Sequence, residues 1–191
     1  NDLTEHFETV PHLTPMLSLE NSYNAEDLNS FDERVKKMIG TAIPDQGIEY
    51  CVEPKFDGGT IVLVYENDLL VRAATRGNGA QGDNITPNAK AIRTIPLKAN
   101  FSKYGIQKVE LRGEVLIRKD LFDKVNETRL KNGKQLFANP RNAATGGLRL
   151  KDPKQVNERA LDAFIYQMGF ATNLEGDNVL GQFEDHNQQI E

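Results

Sequence analysis

A predicted hairpin between residues 60 and 73 constrains the fold more than any other feature of the sequence. Two apolar, β-branched runs, 60–65 and 69–73, are separated only by the turn-forming residues Glu66-Asn67-Asp68. So short a connection joins antiparallel strands, because a parallel crossover needs a dozen or more residues. Together with an alternating run at 109–117 and an apolar run at 163–170, the hairpin predicts an α+β fold with antiparallel β-sheets flanked by helices.

Two longer helices are predicted in addition to these strands. Apolar residues recur at helical spacing from residue 25 onward, with Asn24 as a candidate N-cap and Gly40 as a candidate end. Asp120 is a candidate cap for a second helix that reaches Lys131. Shorter elements are predicted as a strand at 50–53 and a helix at 87–92.

The composition excludes several classes of protein. Of the 191 residues, 38% are hydrophobic, which is enough for a packed core and argues against intrinsic disorder. No apolar run approaches the ~20 residues of a membrane-spanning helix. The single cysteine, Cys51, leaves no internal disulfide and no cysteine-rich zinc site. We therefore expect a soluble, cytoplasmic domain that holds no zinc and has no membrane partner.

Charge is distributed unevenly along the chain. The net charge is −5, yet residues 1–49 carry −7, residues 50–151 carry +8 and residues 152–191 carry −6. A basic centre between acidic flanks is either ordinary surface mixing or a region that handles phosphates. The charge alone does not distinguish these two interpretations, so the sequence motifs within the basic centre are needed.

A glycine-rich loop, Gly77-x-Gly79-x-x-Gly82, has the spacing of the dinucleotide-binding fingerprint. That fingerprint also requires a following helix and an acidic residue about 20 positions on. Pro87 interrupts the expected helix, and no acidic residue occurs at the required distance. A Rossmann site is therefore disfavoured. The loop is either a flexible turn or a segment whose backbone N–H groups approach a phosphate, with Arg76 at its base.

The hexamer Glu53-Pro54-Lys55-Phe56-Asp57-Gly58 is the strongest candidate for chemistry. One interpretation is a surface ion pair. The other makes Lys55 a nucleophile, which requires a neutral amine, and nearby cations favour that neutral form. Three arginines would supply the cations and also bind phosphate, namely Arg76, Arg141 and Arg149. Asp57 would orient the amine, and Gly58 would let the backbone approach a ligand.

Five sequence blocks occur in order along the chain. They are Pro15-Met16-Leu17-Ser18-Leu19, Glu53-x-Lys55-x-Asp57-Gly58, Ala74-Thr75-Arg76-Gly77, Arg112-Gly113-Glu114-Val115 and Phe137-Ala138-Asn139-Pro140-Arg141-Asn142-Ala143-Ala144. The lysine block alone is shared by several covalent nucleotidyltransferases, whereas the last block is specific. From about residue 12 to residue 170, the sequence resembles the adenylation domain of bacterial NAD-dependent DNA ligases. This resemblance implies the ligase-type nucleotidyltransferase fold.

The resemblance implies a catalytic role for the lysine motif. In that family, the motif lysine attacks the α-phosphate of NAD, forms a phosphoramidate with AMP and releases nicotinamide mononucleotide. By resemblance this lysine is Lys55, and Asp57 and Gly58 complete its motif. NAD would supply the AMP, and Mg²⁺ is implied by the family alone, with its ligands unknown.

The resemblance also implies a set of nucleotide-binding residues. Glu53 matches the residue that recognises the adenine edge, Glu114 matches a glutamate that contacts the AMP ribose, and Tyr166 lies where an aromatic ring stacks on adenine. Further matches are Ser18 and Leu19 beside the nucleotide, Arg76 near the ribose and phosphates, and Arg141 and Arg149 as arginines needed for ligation. The alternatives are an exposed strand residue for Glu114, a core residue for Tyr166 and a surface charge for Arg149.

Two positions depart from the family's pattern. Asn78 stands where the family usually has aspartate after Arg-Gly, which removes a negative charge near the phosphates. Gly59 follows the lysine motif where a larger or polar residue is usual. Neither departure replaces a matched catalytic residue.

The resemblance covers part of a longer enzyme. We expect residues 1–45 to form a lead-in segment and a helix that packs on the core, and residues 46–191 to form a partial adenylation domain. The family's nicotinamide-recognition module, later adenylation motifs, oligonucleotide-binding barrel, zinc module and helix-hairpin-helix repeats have no counterpart in the sequence. The full-length enzyme would be a monomer that seals nicked double-stranded DNA in replication and repair. The alternatives are a non-catalytic nucleotide-binding fragment and a nucleotidyltransferase that uses ATP or GTP.

Overall fold

The computed structural model of the protein describes residues 7–40, 47–183 and 185–190. The strands are β1 (Thr9–Pro11), β2 (Gly59–Glu66), β3 (Leu69–Thr75), β4 (Gln81–Asp83), β5 (Lys108–Ile117) and β6 (Leu161–Thr172). The helices are α1 (Ala25–Ile39), α2 (Thr86–Lys90), α3 (Lys119–Lys131), α4 (Pro140–Leu148), α5 (Lys154–Asn157) and α6 (His186–Ile190). Short 3₁₀ turns cover Phe101–Tyr104 and Leu180–Gln182.

The chain divides into two compact units. The smaller is Leu17–Pro54, and the larger combines Asn1–Met16 with Lys55–Glu191. The division into 1–45 and 46–191 stays a prediction.

The larger unit is built on a four-stranded sheet of order β3-β2-β5-β6. Its strands pair antiparallel, and β1 and β4 form a second antiparallel pair. The predicted hairpin is β2–β3, which turns through Asn67 and Asp68, both with positive φ. The α+β class with antiparallel sheets is therefore confirmed.

The two faces of this sheet have different roles. Ile61, Leu63 and Tyr65 of β2 are at most 1% exposed and belong to the hydrophobic core, to which α2 and α4 also contribute. Side chains alternate between the two faces along a strand. On the neighbouring strand β5, Glu110, Arg112 and Glu114 therefore lie on the opposite face, where Arg112 pairs in register with Val62. This opposite face carries several of the candidate site residues.

The smaller unit contains the first predicted helix. Helix α1 begins after Asn24, whose side-chain Oδ1 accepts the Asp27 backbone N–H at 2.8 Å, and it ends at Gly40, whose φ is +62°. None of its fifteen residues is buried. The prediction of a strand at 50–53 was wrong, because these residues pair with none of the described strands. Tyr50 instead donates its hydroxyl to Asp32 of α1 at 2.8 Å.

The prediction that Asp120 caps the second long helix was also wrong. Helix α3 begins at Lys119, its N-cap is Arg118, and that residue makes no capping side-chain bond. The carboxylate of Asp120 accepts from Nε and Nη2 of Arg118, each at 3.1 Å. Asp120 therefore lies two residues after the N-cap, in the first turn, where its negative charge still interacts favourably with the helix dipole.

Candidate active site

The lysine motif is hydrogen-bonded to the central sheet through the backbone of a glycine. The Gly58 backbone N–H donates to Oε1 of Glu114 at 3.0 Å, so the motif and the β5 glutamate are held together. A Cβ atom at Gly58 would lie 2.1 Å from the Val115 carbonyl oxygen, which only glycine avoids. Lys55, three residues earlier, is exposed. The predicted nucleophile is thus exposed to solvent, while the end of its motif is held to β5 by a hydrogen bond.

Helix α4 brings an arginine to this motif. Nη1 of Arg141 lies 3.2 Å from Oδ1 of Asp57, and both side chains are more than half exposed. The helix begins where the side chain of Asn139 accepts the Asn142 N–H at 2.8 Å, with Pro140 as its first residue. The sequence pattern left this segment without an assigned element, although it contains a cap and a first-turn proline.

Gly59 explains how α4 approaches the sheet. A Cβ atom at Gly59 would lie 3.0 Å from Cδ1 of Leu148 and 3.1 Å from Cγ2 of Thr145, both in α4. A Cβ atom here would require these two side chains to move by a few tenths of an ångström. The departure from the family's pattern at Gly59 is therefore accommodated by close packing.

A second candidate arginine, outside the specific block, lies at the far end of α4. Arg149 follows the helix and pairs with Asp83 of β4, with 2.9 Å between Nη2 and Oδ2. Eight residues at 1.5 Å per residue separate Arg141 from Arg149 by about 12 Å along the helix axis. The two arginines therefore bracket α4, and only Arg141 contacts the lysine motif through a described ion pair.

Tyr166 lies on the same face as Glu114. The register between β5 and β6 shifts at this point. Arg112 pairs with Gln167 and Gly113 pairs with Ile165, so Tyr166 has no partner residue on β5 and forms a β-bulge. Partial burial raises the pKa of Tyr166, the Glu114 carboxylate raises it further, and Arg112 and Arg76 lower it. The phenol therefore lies within electrostatic range of Glu114 and Arg76, in a half-buried position.

Comparison with known proteins identifies the family of the chain. Residues 4–188 match the model of the family described as NAD-dependent DNA ligase adenylation domain. The chain belongs to this family. It is 56% identical over 181 residues to a DNA ligase of Persephonella marina and 59% identical over 181 residues to one of a Sulfurihydrogenibium species, covering 95% of the chain in both cases. A DNA ligase of Aquifex aeolicus is 53% identical over 170 residues.

The chain spans about a quarter of the length of the curated relatives it matches. The alignments cover 25% of the Persephonella and Sulfurihydrogenibium ligases and 23% of the Aquifex ligase, with 89% of this chain in the last case. This part belongs to the adenylation domain, and the α+β fold with antiparallel sheets found in the larger unit is consistent with that family.

A buried ion pair in this adenylation domain was not anticipated from the sequence. Glu110 and Arg112 are 0% and 6% exposed, with 3.3 Å between Oε1 and Nη2. Arg112 also donates from Nη2 to the carbonyl and hydroxyl oxygens of Thr14 at 2.9 and 2.6 Å, and Glu110 accepts the Leu13 N–H at 2.6 Å. Buried charges require partners, and the alternation of Glu110 and Arg112 with apolar residues in a largely buried strand could have revealed the pair.

The lead-in segment held by this pair also supports the glycine loop. The Met16 N–H donates to the Gly79 carbonyl at 2.8 Å, and the His12 N–H donates to the Ala80 carbonyl at 3.0 Å. Nε2 of His12 lies 3.0 Å from the Arg76 carbonyl oxygen. The loop at whose base Arg76 lies is therefore positioned by residues 12–16.

The glycine loop is a tight turn with an internal cap. Oδ1 of Asn78 accepts the N–H groups of Ala80 and Gln81, each at 3.0 Å. An aspartate carboxylate could accept the same bonds, so the departure at Asn78 keeps this hydrogen-bonding role and changes the charge. Helix α2, which follows, has five residues and belongs to no parallel β-α-β unit. The disfavoured Rossmann interpretation is thus excluded by the topology.

Three candidate residues lie in the smaller unit. Ser18, Leu19 and Glu53 are exposed members of Leu17–Pro54. Their roles beside the nucleotide stay predictions. Among the residues that the structure describes, no three His, Cys, Asp or Glu side chains are grouped as metal ligands, and no helix is long and apolar enough to cross a membrane.

Proposed function

We propose that the domain transfers AMP from NAD to Lys55. The observation that carries the proposal is the cluster at the lysine motif, where Gly58 is bonded to Glu114 and Asp57 is paired with Arg141. The Asp57 carboxylate is two residues from the exposed Lys55, and the Arg141 cation is paired with that carboxylate. The members of this cluster are four of the residues that match the family's catalytic and nucleotide-binding positions.

The reaction is a displacement at phosphorus. The neutral Nζ of Lys55 attacks the α-phosphorus of NAD, a P–N bond forms, and the bond to the bridging pyrophosphate oxygen breaks. Nicotinamide mononucleotide leaves with the electron pair of that bond, and the proton lost by the amine passes to solvent, to which Lys55 is exposed. Such reactions are accelerated mainly by positioning and by cations around the phosphate oxygens. Arg141, beside the motif, is the residue we assign to those oxygens.

Glu114 and Tyr166 would bind the nucleoside. One carboxylate oxygen of Glu114 accepts the Gly58 N–H, and a carboxylate has further acceptor positions for a ribose hydroxyl. Tyr166 offers a half-buried aromatic face for adenine. Arg76, Arg149, Ser18, Leu19 and Glu53 complete the proposed nucleotide-binding set.

Magnesium enters the proposal from the family resemblance. Mg²⁺ usually keeps several waters and is bound by one or two carboxylates plus substrate phosphates. The described residues offer Asp57 and Glu114 near the motif and no cage of three or more ligands. This donor set fits an ion held mainly by the NAD phosphates, which would neutralise charge on them.

The full-length protein would use the enzyme-AMP to seal nicks in double-stranded DNA. This role, its place in replication and repair, a cytoplasmic location and a monomeric state are proposals for a protein as long as the relatives. They rest on the family and on the fact that those relatives are DNA ligases.

A labelling experiment tests the proposed chemistry. A protein of the relatives' length that carries this chain is incubated with adenine-labelled NAD and magnesium, and the intact mass is measured. We expect a covalent AMP that is lost in Lys55→Ala and kept in Lys90→Ala, an exposed lysine outside the site. ATP and GTP, tested in parallel, address the alternative donors. An adduct that persists in Lys55→Ala would contradict the assignment.

A further inference from the structure

A basic groove lies beside α3. It encloses about 260 Å³ and is bordered by α3, by the segment after it and by the segment between α5 and β6. We call it the α3 groove and define it by four cationic residues that line it, Lys124, Arg129, Lys134 and Arg159. No residue assigned to the nucleotide lines it.

The charge of the α3 groove favours an anion. Its four cations face a single acidic residue, Glu158, so its lining carries a net charge of +3 in a chain whose total is −5. A concave surface lined by one sign of charge concentrates the field and attracts ligands of the opposite sign. The groove therefore has the electrostatic character of a phosphate-binding surface.

Two of the arginines are held in place by one aromatic ring. The guanidinium carbons of Arg129 and Arg159 lie 4.1 and 4.6 Å from the centre of the Phe137 ring. Each arginine also donates to a backbone carbonyl, Arg129 to Gln135 at 2.6 Å and Arg159 to Ala143 at 3.3 Å. A stacked guanidinium loses less freedom when it binds a phosphate, because it is already oriented.

This arrangement also gives a role to Phe137. The phenylalanine opens the most specific block of the sequence, and the proposed adenylation chemistry makes no use of it. Its ring binds the two groove arginines, while α4, a few residues later, carries Arg141 to the lysine motif. One block thus serves both the groove and the active site.

The backbone at the groove is strained. Ala160, which lines the groove next to Arg159, has a φ of +48°, in the left-handed region that non-glycine residues rarely adopt. Strained residues persist where the surroundings fix them, and they are concentrated at functional sites. This conformation sets the direction in which the chain passes from α5 into β6.

We propose that the α3 groove binds the sugar-phosphate backbone of double-stranded DNA. The proposal rests on the proposed ligase function and names a surface through which its DNA substrate is held. Arginine and lysine contacts to phosphates position a protein on DNA without reading its sequence. Four cations that contact phosphates suit an enzyme that acts at nicks in any sequence.

The test compares two double variants of equal charge in a protein of the relatives' length. Lys124→Ala with Lys134→Ala removes two groove cations. Lys90→Ala with Lys98→Ala removes two exposed cations elsewhere in the larger unit. Binding to a nicked duplex is measured by fluorescence anisotropy at several salt concentrations, and self-adenylation with NAD is measured in the same preparations.

We expect the groove variant to bind DNA roughly tenfold more weakly at about 0.1 M salt, with the slope of log K against log salt reduced by about 2. The control variant should keep the slope, and both variants should keep self-adenylation. Equal slopes and affinities for the two variants would overturn the proposal. A loss of adenylation with unchanged DNA binding would also overturn it, in favour of a nucleotide phosphate.

The outcomes separate this proposal from the proposed function. Failure of Lys55 to accept AMP would refute the adenylation chemistry whatever the salt slopes show. Normal adenylation with unchanged DNA affinity in the groove variant would refute the groove alone. Because both lysines are exposed, their truncation is expected to leave folding intact, and circular dichroism of both variants checks this.

Discussion

Two ion pairs in the larger unit lie in opposite environments. Glu110 and Arg112 are 0% and 6% exposed, whereas the side chains of Asp57 and Arg141 are 75% and 62% exposed. The buried pair is surrounded by protein partners from the lead-in segment, which include the Leu13 N–H. The exposed pair is open to solvent beside the lysine motif.

The difference in burial changes how much each carboxylate–guanidinium pair contributes to stability. Removing one member of a buried pair leaves an uncompensated charge, so such a pair fixes the segments that it joins. An exposed pair adds little to stability, because water competes for both groups. Its members can exchange partners at small cost. Burial thus marks the charges that hold the backbone, and exposure marks those available to a substrate.

The largest expected effect is that of Glu110→Ala. It leaves the Arg112 guanidinium buried without its carboxylate and the Leu13 N–H without its acceptor. We expect a loss of about 3–5 kcal/mol in the free energy of unfolding, measured by urea denaturation. Asp57→Ala, which breaks the exposed pair, should cost less than about 1 kcal/mol. Similar losses for the two variants would invalidate the distinction drawn from burial.

Gly169→Ala tests the packing around the buried arginine. A Cβ atom at Gly169 would lie 2.7 Å from Nε of Arg112 and 2.9 Å from its Cζ atom. The guanidinium would have to shift from its partners, at a cost of about 1–3 kcal/mol. Gly146→Ala in α4 is the matched control, because its nearest neighbour would be 3.8 Å away. That control should be neutral or stabilising by about 0.5–1 kcal/mol, and a stable Gly169→Ala protein would contradict the packing argument.

Tyr65 extends the comparison to a buried neutral group. Its hydroxyl donates to the Pro96 carbonyl at 2.7 Å, so Tyr65→Phe should cost about 1 kcal/mol near neutral pH. Burial raises the pKa of Tyr65 from 10.0 to about 12. The unfolded chain therefore loses this proton first as the pH rises, and the stabilisation present below pH 10 disappears by about pH 12.

The pH dependence of Tyr65→Phe provides the check. Urea midpoints measured at pH 9 and pH 11 should fall further in the original protein than in Tyr65→Phe, because the variant lacks the titrating phenol. All other tyrosines and lysines are common to both proteins and cancel in the difference. An equal fall in both would show that Tyr65 ionises at its ordinary pKa.

The elements predicted most accurately from the sequence are those encoded locally. Helix α1 was predicted from its apolar spacing and its cap, and the β2–β3 hairpin from two runs and a turn. Helix α4 was not assigned, because its sequence contains two glycines and several small residues with little helical pattern of their own. Its packing on the sheet depends on Gly59, some eighty positions earlier.

The sequence suggests candidate site residues, whereas their mutual contacts are seen only in the structure. The sequence blocks named Asp57, Glu114 and Arg141, yet spacing could not show that the Gly58 N–H meets Glu114, 56 residues away. It also could not show that Arg149 pairs with Asp83. Such contacts depend on how distant strands align, which is a property of the whole sheet.

The smallest expected effect on stability, and the sharpest contrast with Glu110, is that of Arg141→Ala. The exposed pair with Asp57 should contribute less than about 1 kcal/mol, while AMP transfer should fall roughly 100-fold because a cation beside the phosphate is lost. Arg118→Ala is the matched control, since its pair with Asp120 has a distance of 3.1 Å and similar exposure. That variant should match the stability of Arg141→Ala and keep full AMP transfer. If both arginine variants transferred AMP equally well, the assignment of Arg141 to the phosphate would fail, even though its stability would still agree with an exposed pair.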